Sequence, residues 1–296
     1  MTSTPKLLIT GASGQFGQRV THHLLETLRV PAASLTLLTR DPSRLAAAAA
    51  RGVEVRTGDL DAPDTLSAPF QGADRVLLIS TDAIGRRVQQ HRAAIEAAVE
   101  GSARHLVYTS MPDPFASKVS FAPEHAATET AVMESGLPGW TVLRNHWYFE
   151  NLSMTLPALR ASGKWFTAAG DGRVADAARD DLALAAANAL VRLDGRETYT
   201  LSGPEALSVG DLSSELERVL RTSIDVVPVT AEQLADGLVT QASMPRPVAE
   251  MFASFDQNTA SGAVGTVTGD LERLIGRSPL RFGDWLEQNA TALLDG

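Results

Sequence analysis

Gly11-Ala12-Ser13-Gly14-Gln15-Phe16-Gly17 stands between an apolar run, Lys6 to Thr10, and a stretch in which Phe16, Val20, Leu24 and Leu28 recur every four residues. The run predicts a buried strand, and the recurrence predicts one face of a helix. Each glycine has its own use at such a join. Gly11 permits a tight turn, Gly14 lets backbone approach a pyrophosphate, and Gly17 allows close packing of helix on strand. The helix amino end adds a positive dipole aimed at the same place. The spacing is G-x-x-G-x-x-G rather than G-x-G-x-x-G, and three glycines alone suit any turn. Their place between strand and helix is what points to dinucleotide binding.

Working outward, the first half of the chain alternates strand and helix patterns. Apolar runs at Leu35 to Thr39, Val53 to Arg56, Arg75 to Ser80, His105 to Ser110 and Trp140 to Leu143 predict five further strands. Asp41-Pro42 supplies a cap and first-turn proline for an alanine-rich helix through Ala50, and Arg87 to Glu100 predicts another helix. Strands separated by helices pair in parallel, with helices on both faces. The expected fold is α/β, a doubly wound, Rossmann-like parallel sheet. After Asn151 the rhythm changes to helices at Asp180 to Val191, Ser208 to Leu220 and Thr230 to Thr240, with short strands at Thr198 to Leu201 and Ile224 to Val229. Ser208-x-x-Asp211 and Thr230-x-x-Gln233 are capping signatures. The stretch from Phe252 to Gly269, rich in Ser, Thr, Gly and Ala, reads as a mobile loop. The domain expectation is a nucleotide-binding domain over 1–152 and a smaller α+β lobe over 153–296, with about 172–202 able to return to the sheet.

Composition narrows the function. The 296 residues carry a net charge of -9, which opposes binding to nucleic acid or to an anionic membrane surface. There is no cysteine, so disulfides, thiolate catalysis and cysteine-ligated metal are excluded. The six histidines are dispersed apart from the adjacent His22-His23, and no metal site is expected. No charged region followed by an apolar segment opens the chain, and no apolar stretch is long enough for a bilayer; the expectation is a soluble, cytoplasmic protein. Oligomeric state is not legible, although a homodimer would be unsurprising.

Arg40 closes the second predicted strand, where an acid commonly holds the ribose hydroxyls of NAD. An arginine there suits a 2′-phosphate, which favours NADPH; the plainer explanation is a solvated surface side chain. Neighbouring Asp41 is explained as a helix cap. Asp59 and Leu60 follow the third strand and suit the adenine amino group and ring face, although aspartate is also an ordinary turn residue. Ile79-Ser80-Thr81 and Thr109-Ser110-Met111 end the fourth and fifth strands, bordering the crevice where a nicotinamide would lie. Such hydroxyls also cap helices.

These features resemble the short-chain dehydrogenase/reductase superfamily. Its familiar members use a tyrosine with a lysine four residues later. Here Tyr108, Tyr148 and Tyr199 are followed at that distance by Pro112, Leu152 and Gly203, so the pair is absent. Phe121-x-x-x-His125-x-x-x-Glu129 takes the place. The stretches Gly11 to Gly17, Glu124 to Glu129 running to Glu134-Ser-Gly, and Thr141-Val-Leu-Arg-Asn-His-Trp-Tyr-Phe-Glu-Asn151 resemble the atypical, NmrA-like branch. Within it the likeness is to the bacterial NAD(P)H:quinone oxidoreductase type 2 group, with triphenylmethane-dye reductase a close relative. Leu77 to Ser80, Gln90 to Arg92, Tyr108 to Ser110, Ala168 to Gly172 and Leu274 to Gly276 extend it over nearly the whole chain.

The resemblance implies flavin-independent hydride transfer from NADPH to a quinone, with other conjugated aromatics or dyes as alternative acceptors. It equally includes NADP-sensing regulators without turnover. It implies cofactor contacts at Gly11, Ser13, Gly14, Gln15, Phe16, Gly17, Arg40, Asp59, Ser80 and the Arg144 to Tyr148 region, Trp147 included. A quinone that accepts hydride becomes a stabilised anion, which needs electrostatic help more than a strong acid. Arg144, Asn145 and His146 are candidates to steady it. His125 is a candidate general acid, against the alternative of local packing on its helix. Trp147, Tyr148, Phe149, Trp165 and Phe166 cluster in a chain with only 5% aromatic residues, where a flat apolar slot and lobe core are both expected. Tyr148 is the one expected to face the site. No chemistry is assigned to Gln90, His91 and Arg92.

Overall fold

The computed structural model describes residues 4–295. Six strands in the first half, β1 (Leu7–Ile9), β2 (Leu35–Thr39), β3 (Glu54–Thr57), β4 (Arg75–Leu78), β5 (His105–Ser110) and β6 (Gly139–Asn145), build a Rossmann-like parallel sheet. A seventh, Arg196–Leu201, joins beyond β6, giving the order β3-β2-β1-β4-β5-β6 and then this edge strand. The order reverses between β1 and β4: the chain runs outward from β1 to β3, then crosses back. At that reversal the connections at the carboxyl ends of two adjacent strands leave in opposite directions, which opens a crevice.

The helices that cross over reflect their composition. Arg87–Glu100 lays Ala94, Ala97 and Ala98 into a core with Leu8, Val76, Leu78, Leu106 and Tyr108. Small side chains let this helix approach the sheet closely. The second crossover is shorter than expected, a 3-10 turn over Pro42–Leu45 followed by Ala46–Ala49. Asp41 caps it, accepting hydrogen bonds from the Ser43 backbone N–H and hydroxyl.

The chain forms two compact units. One comprises residues up to Met111, Pro123–Arg144 and Leu182–Tyr199; the other comprises Pro112–Ala122, Asn145–Asp181 and the residues from Thr200 onward. In the second unit Lys164–Thr167 pairs in parallel with Asp225–Pro228, and Arg173–Val174 pairs antiparallel with Leu207–Ser208. Its core gathers Phe149, Leu156, Leu216, Phe282, Trp285 and Leu286. Both capping boxes form: Ser208 with Asp211 opens Val209–Leu220, and Thr230 with Gln233 opens Ala231–Ala242.

Of the loop expected over Phe252 to Gly269, residues 261–269 are irregular, while the part up to Ala260 is a helix instead, Arg246–Ala260. Its composition misleads because its polar side chains are buried. Asn258 Oδ1 accepts from the Ser117 hydroxyl and the Lys118 N–H, and Ser254 accepts from the Ser120 N–H. Satisfied in this way, asparagine and serine serve as interior residues. No helix among the described residues is long and apolar enough to cross a membrane.

Candidate active site

The Gly11–Gly17 turn lies at the carboxyl end of β1, at the reversal of strand order. Gly11 has φ +61°, a left-handed conformation that favours glycine. Gly14 occupies the cap of the helix Gln15–His22 and brings no side chain to its amino end. A Cβ on Gly17 would fall 2.4 Å from the Gly11 carbonyl oxygen and 2.7 Å from Ala12 Cα. The close approach is therefore to the turn's own backbone, not to the strand. Ser13 is tied in by Gln18 Nε2 donating to its carbonyl and by Thr39 donating to its hydroxyl. Phe16 is buried, and Gln15 is exposed beside it. The result is a rigid, uncapped cradle that fits a diphosphate.

Arg40 is exposed at the end of β2, and Arg44, from the next turn, reaches the Ser13 carbonyl at 3.5 Å. Sequence reading overlooked Arg44; its distance of four residues from Arg40 was the available signal. Asp59 accepts from the Asp61 N–H, the usual habit of a turn aspartate, and its own N–H donates to Thr65. Leu60 is half-buried against the core of the first unit.

At the end of β4, Ile79 lies where a side chain on Gly11 would meet it at 3.5 Å, and its N–H donates to Thr10 Oγ1. The Ser80 N–H donates to Thr109 Oγ1, whose hydroxyl returns to Ser80 Oγ at 3.3 Å. Thr81 is held by three neighbours. Its N–H donates to His91 Nε2, its hydroxyl donates to Gln90 Oε1, and its carbonyl accepts from Arg87. Because His91 Nε2 is an acceptor, its proton sits on Nδ1, which donates to Thr128 at 3.0 Å. Burial and the Arg87 charge push the His91 pKa down to about 3, in keeping with that neutral tautomer. Gln90 and His91 thus position the loop after β4.

The helix Ala122–Glu134 carries His125 and Glu129 one turn apart. His125 Nδ1 lies 2.8 Å from the Tyr108 hydroxyl. Burial, with Arg87 and His91 adding to it, lowers the His125 pKa to about 3, so the ring is neutral near pH 7. Burial raises that of Tyr108. Glu129 has no solvent exposure; it accepts from the Ser110 hydroxyl at 2.6 Å and is gripped by Arg144 through Nε at 3.0 Å and Nη2 at 2.7 Å. Ser110 and Arg144 therefore meet on one buried carboxylate, a residue to which the sequence reading gave no role.

In the second unit, Asn145 and His146 are buried, and burial lowers the His146 pKa to about 4. The Trp147 ring meets Phe255 edge-on at 4.9 Å, and Phe255 also contacts Phe121 and Phe252. Arg179 lies 4.8 Å over the Tyr148 ring, while burial pushes the phenol up to about 12. Phe149 and Trp165 belong to the core of this unit, and Phe166 is exposed. The aromatic partner of Trp147 is thus Phe255, which lies with Phe252 on the helix Arg246–Ala260 and also meets Phe121.

A family model described as NAD(P)H-binding matches residues 11–192. The chain belongs to this NAD(P)H-binding family. Quinone oxidoreductase 2 of Escherichia coli strain K12 is 34% identical over 272 residues, covering 91% of this chain and 93% of that protein. Among solved structures, the NADPH-dependent quinone oxidoreductase QOR2 from Escherichia coli, complexed with NADPH, superposes with a TM-score of 0.90 at 32% identity. It covers 97% of this chain and 99% of that one. Triphenylmethane reductase of Citrobacter sp., complexed with NADP(H), gives a TM-score of 0.88 at 32% identity, covering 96% and 99%. This member of the NAD(P)H-binding family is an NAD(P)H-dependent oxidoreductase related to quinone oxidoreductase 2, of the atypical NmrA-like type.

Proposed function

We propose that this protein reduces quinones by direct hydride transfer from NADPH, without a flavin. The observation that carries the reading is the uncapped Gly11–Gly17 cradle at the switch in strand order, beside Ser80 and Ser110 at the ends of β4 and β5. Bound there, NADPH supplies the hydride and its two electrons. The cradle's backbone N–H groups and the helix dipole hold the diphosphate. Arg40 and Arg44 stand on the side suited to a 2′-phosphate, which favours NADPH over NADH. Ser80 and Thr81 line the nicotinamide end, the second fixed by Gln90, His91 and Arg87.

A quinone suits a site without a tyrosine–lysine pair, because charge spreads over the reduced ring. Trp147 and Phe255, packed edge to face, give the second unit an aromatic cluster in keeping with an aromatic acceptor. Neutral His125 acts through Tyr108 as a packed hydrogen-bonded pair rather than as an imidazolium acid. The likeness to triphenylmethane reductase favours dyes as a second acceptor class.

The test is NADPH oxidation by purified, flavin-free protein with and without a simple benzoquinone. Saturable, quinone-dependent turnover supports the reading. Tight NADPH binding with no quinone-dependent oxidation would replace it with a sensor of the cofactor.

A further inference from the structure

Three side chains from the amino end of the helix Arg87–Glu100 converge on Thr81. The Thr81 N–H donates to His91 Nε2 at 3.1 Å, and its carbonyl accepts from Arg87 Nε at 2.7 Å. The third is Gln90, whose Oε1 accepts from the Thr81 hydroxyl at 2.6 Å. All three are buried. The loop that follows Thr81 is closed at its far end as well. Glu124 pairs with Arg87 at 3.2 Å and accepts from the Gly85 N–H at 2.5 Å. Arg86 reaches Asp61 at 2.7 Å, on the turn after β3 whose Asp59 accepts the Asp61 N–H. Every one of these residues belongs to the first unit.

The direction of the Thr81–Gln90 bond follows from what lies behind Gln90. Its amide also bonds Asp61, and this bond, ahead of the Arg86 charge, holds the Asp61 carboxyl below the usual carboxylate range. An ionised carboxylate only accepts, so the Gln90 NH2 faces Asp61 and Oε1 is left facing Thr81. An amide oxygen only accepts too. The Thr81 hydroxyl therefore donates inward, and what it presents on its other side is lone pairs. No group among the described residues donates to Thr81 Oγ1. Thr81 is half-buried just beyond the carboxyl end of β4. Its backbone groups are spent on His91 and Arg87, so Oγ1 is the one polar atom it has left to meet a ligand. It meets that ligand as an acceptor.

We propose that Thr81 Oγ1 accepts a hydrogen bond from the carboxamide NH2 of nicotinamide, and that Gln90 is the positioning residue that fixes this hydroxyl as an acceptor. The inference rests on the reading that NADPH occupies the cradle of the first unit with its nicotinamide at the end of β4. The carboxamide NH2 is the one hydrogen-bond donor that the nicotinamide ring carries. Anchoring it restrains the ring from turning over about its ribose bond, so that one face is presented for hydride transfer. Gln90 does this at one remove: Asp61 orients its amide, and its amide orients the Thr81 proton.

The test needs no turnover. Isothermal titration gives the affinity of the full chain for NADPH, for its reduced thionicotinamide analogue, which keeps the NH2, and for its reduced 3-acetylpyridine analogue, in which a methyl group replaces it. NADPH and the thio analogue should bind within about twofold of each other, and the acetyl analogue about five- to tenfold more weakly, as expected for one lost hydrogen bond. Thr81→Val should bring the ratio of NADPH to acetyl-analogue affinity close to one, and Thr81→Ser should keep it. Gln90→Met frees the Thr81 hydroxyl to turn its proton outward, so the ratio should again fall close to one while both coenzymes still bind. Gln90→Glu combined with Asp61→Asn should preserve the ratio, because the carboxylate still accepts from Thr81 and the new amide donates to it. A ratio near one in an unaltered chain that binds NADPH tightly, or a ratio that Thr81→Val or Gln90→Met leaves unchanged, would overturn the inference. Absence of NADPH binding in the unaltered chain would overturn the cofactor reading itself, and the inference with it.

Discussion

Arg144 grips Glu129 through two parallel hydrogen bonds, and Glu129 in turn receives the Ser110 hydroxyl, so that strands β5 and β6 and the helix Ala122–Glu134 converge on one buried carboxylate. Removing one partner from a buried pair leaves an uncompensated charge, a loss of about 3–5 kcal/mol. Arg144→Ala should lower the urea midpoint accordingly. A double-mutant cycle with Glu129→Gln should show strong coupling. Independent, additive effects would mean that the pair is not a structural anchor.

The cradle makes a graded prediction. A methyl group on Gly17 collides with backbone at 2.4 Å, whereas one on Gly14 meets the Gly11 carbonyl oxygen at 3.3 Å. Overpacking against an unyielding neighbour costs about 1–3 kcal/mol. Gly17→Ala should weaken NADPH binding by roughly tenfold or more, and Gly14→Ala should have the milder effect on the turn. Isothermal titration of both variants measures the order, and a reversed order would refute the assigned geometry.

Coenzyme choice tests the two arginines. Arg40→Asp and Arg44→Ala should each reduce the ratio of kcat/KM for NADPH over NADH, by about ten- to a hundredfold where a charged hydrogen bond to the 2′-phosphate is lost. An unchanged ratio in both would remove them from the phosphate site.

Acid should destabilise the fold through its histidines. Burial lowers the pKa of His91 and His125 to about 3, and those of His105 and His146 to about 4. These rings are neutral when folded but take up protons in the unfolded chain near pH 6.5, so stability is present above that pH and is lost as pH falls toward the folded values. Each contributes up to about 1.4 kcal/mol per pH unit in that window. Asp176, whose pKa is raised to about 7, opposes one of them, because the folded state binds its proton more tightly. Urea midpoints should therefore decline from pH 6.5 to 4.5, and His105→Asn should flatten the slope. A midpoint independent of pH would contradict the neutral, buried assignment.

Gly203 offers a separate check on the second unit. Gly203→Ala must push the Asp176 backbone away, since its new methyl would lie 1.8 Å from that carbonyl oxygen. The backbone bonds that tie neighbouring Ala177 to Trp147 and Phe149 should loosen, with a loss of about 1–3 kcal/mol in thermal or urea unfolding. Unaltered stability would show that the segment yields easily.

Local chemistry determined much of this molecule. The Gly11–Gly17 turn, the strands from Leu35 to Asn145, the helix Arg87–Glu100 and both capping boxes follow from neighbours within a few residues, because backbone conformation and period are written at that range. Tertiary structure decided what depends on distant partners. Asn258 and Ser254 became helix interior because Ser117, Lys118 and Ser120 satisfy them, more than a hundred residues away in the chain. Glu129 found its role only when β6 brought Arg144 to it, fifteen residues on. The titration of Asp176 depends on water being excluded by segments near 147, 203 and 264, and desolvation is a property of the packed chain that no local pattern encodes.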